Sequence, residues 1–265
     1  MTPGGTVVRG RLETALRKRR DAGHKLLIPY VTGGLGNDWL EVVRAIADAG
    51  ADAIEIGIPF SDPVMDGPVI QQASAEALSS GATPSSIIAS LAGADVGVPL
   101  AVMTYYNVVL RAGHRRMANR LADAGVSGAI VPDLPLEELD GWGEEAAAAG
   151  IEAVLLVAPT SPPDRLRALC ARSRGFVYGV GVMGVTGERS SLASSALTVA
   201  RRCKDETDTP VLVGVGISSP EQAREVVAVA DGVVVGSALV HRLLEGAGPQ
   251  GAGEFVAEIK AAIDG

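Results

Sequence analysis

Eight short apolar runs, each followed by a stretch of helical composition, constrain this chain more than any other feature of its sequence. The runs lie at 26–31, 52–57, 99–104, 128–131, 153–157, 176–180, 210–214 and 232–235. They are rich in Val, Ile and Leu and read as near-continuous apolar segments. That is the signature of strands buried on both faces. Helical segments are expected at 38–49, 84–94, 113–124, 136–149, 163–172, 191–203, 220–229 and 252–263. A further helix is expected at 9–21, ahead of the first strand, and a short one at 238–244, after the last. Strand–helix alternation implies an α/β fold with a parallel sheet covered by helices. An open doubly wound sheet has the same local signature, so the count decides. Eight units in 265 residues favour a closed (β/α)8 TIM barrel, which takes about 250 residues. No Gly/Ser linker divides the chain, so residues 1–265 are read as a single barrel domain. The Gly-rich stretch 246–253 reads as the connection between the short helix and the last one.

Composition narrows the function classes. Apolar residues make up 47% and charged ones 20%, enough to bury a large core and too apolar for wholesale disorder. Lys plus Arg is 23 against 31 Asp plus Glu, a net charge of −8 that argues against a general nucleic-acid binder. The one basic cluster of note, Arg17-Lys18-Arg19-Arg20, reads as the solvated face and end of the N-terminal helix. Mean hydropathy is positive at +0.26, yet no uninterrupted apolar stretch approaches the roughly 20 residues of a membrane span. The N-terminus shows no signal-peptide core, and two cysteines make no disulfide framework. A soluble cytoplasmic protein is the expectation.

In a barrel, chemistry gathers at the C-terminal ends of the strands. None of the four lysines falls there, which disfavours a Schiff base. His24 precedes the first strand, and His114 and His241 sit in helical segments, so no metal site is expected. Cys170 and Cys203 fall on outer helices and read as small buried residues. Carboxylates remain. In Asp52-Ala53-Ile54-Glu55-Ile56-Gly57, alternation sets Glu55 on the face opposite Ile54 and Ile56. A Glu so placed is either a hydrogen-bonded structural acid or an acid/base catalyst whose pKa is raised by apolar walls. The loop that follows carries Asp62, read as a turn or cap residue, and Asp66, read as a substrate contact over the barrel mouth. Gly214-Val215-Gly216-Ile217-Ser218 and Gly236-Ser237 end strands seven and eight. Glycine lets backbone approach a ligand, and a helix N-terminus offers N–H groups, so these turns suit a phosphate. The Gly-rich loop 181–188 reads as a lid that adds N–H donors.

The run Glu55-Ile56-Gly57-Ile58-Pro59-Phe60-Ser61-Asp62-Pro63, with Asp66-Gly67-Pro68, closely resembles the signature of tryptophan synthase alpha subunits. Gly184-Val185-Thr186-Gly187, Gly214-Val215-Gly216-Ile217-Ser218 and Gly236-Ser237-Ala238 match that family's later motifs in the same order. The resemblance implies cleavage of indole-3-glycerol phosphate to indole and glyceraldehyde 3-phosphate, a retro-aldol lyase reaction without cofactor or metal. It implies Glu55 as the general acid/base and Asp66 as acceptor for the indole N–H. Tyr30, Met103, Ile130, Tyr178 and Val215 would line the substrate pocket. Gly187, Gly216, Gly236 and Ser237 would cradle the phosphate, with Thr186 on the closing lid. The implied partner is a pyridoxal-phosphate beta subunit in an alpha2beta2 complex, with no nucleic acid and no membrane involved. Two departures stand out. Gly34-Leu35-Gly36 lacks the family's frequent Asp-Pro, and Val182 and Met183 replace polar residues before the lid motif. The alternatives are a stand-alone lyase releasing free indole, a non-catalytic activating subunit, and another phosphate-binding barrel enzyme.

Overall fold

The computed structural model describes residues 9–181, 189–214 and 216–265, the side chains of 189–194 excepted. The strands are β1 (Leu26–Thr32), β2 (Ile54–Gly57), β3 (Leu100–Met103), β4 (Gly128–Ile130), β5 (Glu152–Val157), β6 (Val177–Val180), β7 (Val211–Gly214) and β8 (Gly232–Val235). All pairs are parallel, and β8 closes onto β1. Helix α1 (Arg11–Asp21) precedes the barrel, and α2 (Trp39–Asp48) follows β1. Helices α3 (Pro68–Ser79) and α4 (Pro84–Leu91) follow β2, and α5 (Tyr106–Ala112) and α6 (His114–Asp123) follow β3. A 3-10 turn, Leu136–Glu138, leads into α7 (Leu139–Ala148) after β4. Then come α8 (Pro163–Arg172), α9 (Arg189–Lys204), α10 (Pro220–Val227), α11 (Ser237–Leu244) and α12 (Gly248–Asp264). The molecule is a TIM barrel with an extra N-terminal helix. Among the described residues, no helix is long and apolar enough to cross a membrane.

Alternation within each strand sorts the core into two parts. Outward residues such as Val31, Ile54, Ile56, Val102 and Val213 pack beneath the helices. Inward residues such as Ile28, Ala53, Ile130, Phe176 and Leu212 fill the barrel. The register is staggered. Tyr30 is level with Glu55, Ala101, Gly128 and Glu152 at the bottom of β5, whereas Leu156, higher on β5, is level with Tyr178, Leu212, Gly232 and Leu26 at the bottom of β1. That stagger tilts the strands and lets eight of them close.

The N-terminal face is sealed by α1, whose Leu12 and Leu16 join the interior cluster. Gly10, at the N-cap, has no side chain to cap the helix. Glu152 on β5 supplies the cap instead, accepting the N–H of Leu12 at 2.7 Å and of Glu13 at 3.1 Å. A negative charge at that end also suits the helix dipole.

Strands fall within two residues of the sequence expectation. Asp52 differs: β2 starts at Ile54, and the Asp52 carboxylate is an ionic anchor below it. Its Oδ2 accepts the Leu27 N–H and the Lys260 ammonium, each at 2.8 Å. Helices α3 and α5 are additional to the helices expected from the sequence. Helix α12 starts at Gly248, inside the stretch expected to be a connection. Pro near its start and packing of Ala252, Phe255 and Val256 override the weak helix propensity of its glycines. Cys170 and Cys203 are buried, as their positions on outer helices implied.

Candidate active site

Strand β2 carries Glu55 and Gly57 inward, in line with Ala53 just before it, so the alternation that buries Ile54 and Ile56 under helices sends Glu55 into the barrel. Glu55 is 1% exposed, and its Oε2 has no hydrogen-bond partner. A buried acid so placed favours its neutral form. Burial pushes its pKa up to about 8, and the nearby charge of Asp66 pushes the same way.

Glu55 lies in a cavity of about 280 Å3 at the C-terminal mouth of the barrel. All nine described residues expected at the site line it: Glu55, Asp66, Tyr30, Met103, Ile130, Tyr178, Gly216, Gly236 and Ser237. Thr186, Gly187 and Val215, with Val182, Met183 and most of the lid segment 181–188, lie outside the described residues. Leu156, Ile70 and Val234 also line the cavity and were not expected there. Their signal was only that of inward or helix-face apolar residues. Together with Ile130 and Met103 they make much of the cavity wall apolar.

Two glycines set the places of the tyrosines. A Cβ on Gly57 would overlap the Tyr30 ring, and one on Gly214 would overlap the Tyr178 ring. Burial raises both phenols well above their usual range, with the charges of Glu55 and Asp66 adding to it, so both stay neutral.

Asp66 enters from the loop between β2 and α3. It precedes Gly67, the N-cap of α3, and its carbonyl accepts the Gln71 side-chain amide at 2.8 Å. Burial raises its pKa, while a hydrogen bond from the Tyr105 hydroxyl acts in the opposite direction. Tyr105, just beyond β3, was missed in the sequence, where an aromatic beside an apolar strand reads as core. Asp62 is exposed and, among the described residues, its side chain bonds only its neighbour Ser61, in keeping with a turn residue.

The opposite wall is backbone. Gly216 adopts φ of 52°, the left-handed region that glycine favours. Gly236 is the N-cap of α11 and brings no side-chain cap, so the first N–H groups of that helix remain available to a ligand. No Lys, Arg or His is among the described residues lining the cavity. Among these residues, the groups that could hold an anion are backbone N–H groups aided by the helix dipole. Among the described residues, no three His, Cys, Asp or Glu side chains are grouped to hold a metal. Leu35, at the first departure, packs against Tyr30, Ile70, Ala73 and Val240.

Comparison with known proteins agrees with this arrangement. The sequence model of the tryptophan synthase alpha chain matches residues 16–262. The tryptophan synthase alpha chain of Synechocystis sp. is 44% identical over 257 residues, covering 94% of this chain and 96% of the relative. That of Streptomyces coelicolor is 41% identical over 262 residues, covering 96% and 97%. A structure of Mycobacterium tuberculosis tryptophan synthase superposes with a TM-score of 0.89 at 38% identity, covering 97% of this chain and 99% of that one. Tryptophan synthase subunit alpha from Legionella pneumophila gives 0.88 at 30% identity, covering 97% and 99%. With a matched model over most of its length and relatives above 40% identity, this chain belongs to the tryptophan synthase alpha chain family.

Proposed function

We infer that the chain cleaves indole-3-glycerol phosphate to indole and glyceraldehyde 3-phosphate, with Glu55 and Asp66 as the catalytic pair. The observation that carries this reading is the buried Glu55 carboxyl. It has one oxygen unpartnered in a cavity that has an acid-bearing loop on one side and a bare helix N-terminus on the other. The phosphate binds the N–H groups at Gly216, Gly236 and Ser237, with Gly187 adding to the cradle and Thr186 closing over it. The indole ring fills the slot lined by Tyr30, Met103, Ile130, Leu156 and Tyr178, with Val215 beside it.

With a pKa near 8, Glu55 is protonated at neutral pH. It donates that proton to the indole ring carbon that bears the glycerol chain. Ionised Asp66 accepts a hydrogen bond from the indole N–H and stabilises the positive charge that spreads onto the nitrogen. Glu55, now a carboxylate, removes the proton from the glycerol hydroxyl as the carbon–carbon bond breaks. The electrons of that bond return to the ring, indole and an aldehyde form, and Glu55 ends as it began. The reaction needs Asp66 ionised and Glu55 protonated, an arrangement their mutual charge favours.

The indole passes to a pyridoxal-phosphate beta subunit in an alpha2beta2 complex, the assembly implied by family membership. Val64 at 77%, Met65 at 55% and Leu110 at 57% exposure are apolar side chains left open on the loop after β2 and on α5, and they support a partner surface near the mouth. The cytoplasm is the proposed location, in keeping with a biosynthetic enzyme. Release of indole from indole-3-glycerol phosphate, measured with and without a cognate beta chain, tests the reading. A rate that rises on adding beta supports the coupled lyase. Full activity alone points to the stand-alone lyase, and no turnover in either case points to a non-catalytic activator.

A further inference from the structure

We propose that Tyr105 is a positioning residue for this reaction, holding the loop between β2 and α3 so that Asp66 stays over the cavity. The proposal rests on the role given to Asp66 above. Tyr105 is 2% exposed and stands at the junction of β3 and α5, where its carbonyl accepts the N–H of Val108 at 3.0 Å. Its place is therefore set by the barrel and not by the loop. From there it grips the loop at both ends. Its ring stacks on Phe60 near the start of the loop, with centroids 5.1 Å apart and planes at 26°. Its hydroxyl oxygen accepts the N–H of Met65 near the end, at 3.0 Å. Accepting that bond leaves the hydroxyl proton free to turn toward the carboxylate of Asp66, the next residue along the loop.

The remaining grip on this loop is weak. Val64 and Met65 are exposed, and among the described residues the Asp62 side chain hydrogen-bonds only Ser61. Among the described residues, Glu55 on β2, Tyr30 on β1 and Tyr178 on β6 are the other titratable groups facing Asp66, and none is a cation. Tyr105 is thus the group that favours the charged carboxylate against burial. Burial pushes its own pKa up to about 12, so it remains a donor throughout the working range.

The test is Tyr105→Phe, which keeps the ring and its stacking while removing the hydroxyl. Indole release is measured from pH 5 to 9 in the complex with the beta chain, beside Asp66→Asn and the double variant. The expected result is a fall in kcat of about tenfold or more, from the loss of a bond to a charged group, with KM nearly unchanged. The acid limb of kcat/KM moves up by about one pH unit, because the ionised form of Asp66 has lost its donor. Tyr105→Phe adds little to Asp66→Asn, since the two act through one group. A parent-like kcat with an unmoved acid limb, while Asp66→Asn is inactive, overturns the proposal and leaves the function intact. An active Asp66→Asn overturns both. A lowered melting temperature with an unmoved acid limb assigns Tyr105 a merely structural part and also overturns the proposal.

Discussion

The two ends of the barrel both bury carboxylates, and they treat them in opposite ways. At the N-terminal face every such acid is bonded. Asp52 takes the Leu27 N–H, Lys260 and Arg19, and Asp231 takes Lys204 at 2.8 Å and the Val211 N–H at 2.8 Å. Glu152 takes two N–H groups of α1. Burial still raises the pKa of Glu152, yet both of its oxygens are engaged. At the C-terminal mouth, Glu55 keeps an oxygen without a partner, and the hydroxyls of Thr32 and Thr104 are unpartnered as well. A buried acid that is fully bonded ties elements together, whereas one left bare is kept at a cost in stability for its chemistry.

Removing an acid from the bonded end is expected to have the largest effect, and on stability alone. Asp52→Ala leaves Lys260, whose side chain is 10% exposed, without its closest carboxylate. A loss of about 3–5 kcal/mol is expected from chemical denaturation, as for a broken buried pair. Turnover per folded molecule should stay near the parent value. A variant that folds normally but turns over poorly would break the contrast. At the mouth the order reverses. Asp66→Asn should lower kcat by about 10²-fold or more through lost stabilisation of the indole nitrogen, with little change in melting temperature.

Glu55→Gln sharpens the comparison through pH. The parent holds a proton on Glu55 up to about pH 8, while the unfolded chain releases it near the ordinary carboxyl value of 4.5. The unfolded state binds fewer protons in that window, so the parent loses stability as pH rises through it. Glutamine has no proton to hold. The stability of Glu55→Gln relative to the parent should therefore improve from pH 4.5 to 8 and level off above, by on the order of a few kcal/mol in all. A flat difference between the two denaturation curves across that window would contradict the bare, raised acid.

The smallest effect belongs to the phosphate cradle. Ser237→Ala should raise KM by less than about tenfold, because N–H groups do most of the binding. Gly236→Val should raise it further. A Cβ there sits in ordinary contact with Tyr30 at 3.5 Å, and the branch beyond it intrudes on the ligand.

Much of this was legible because period and turn chemistry are local signals. The eight apolar runs gave the barrel, and Ile54-Glu55-Ile56 alone set Glu55 apart. The cradle announced itself in Gly214-Val215-Gly216 and Gly236-Ser237, glycine turns after each of the last two strands. What the sequence hid depends on contacts distant along the chain. Helix α5 is a short β-branched and aromatic segment, Tyr106 to Ala112, started by the Tyr106 N–H bonding Asp133 at 2.8 Å. Helix α3 did carry a signal, Pro68 at its first turn after Gly67, but its small residues give a weak apolar face. Tyr105 and Met65 are 40 residues apart, and no local pattern couples them. The anchoring roles of Asp52 and Glu152 likewise need partners from the far side of the barrel.

The most direct test of the central claim is indole release by Glu55→Gln at pH 7 in the presence of saturating beta chain, with substrate binding measured alongside. The account predicts a rate at least about 10²-fold below the parent, a usual size for general acid–base catalysis, with substrate still bound at near-parent affinity. A Glu55→Gln chain that releases indole at close to the parent rate would contradict it.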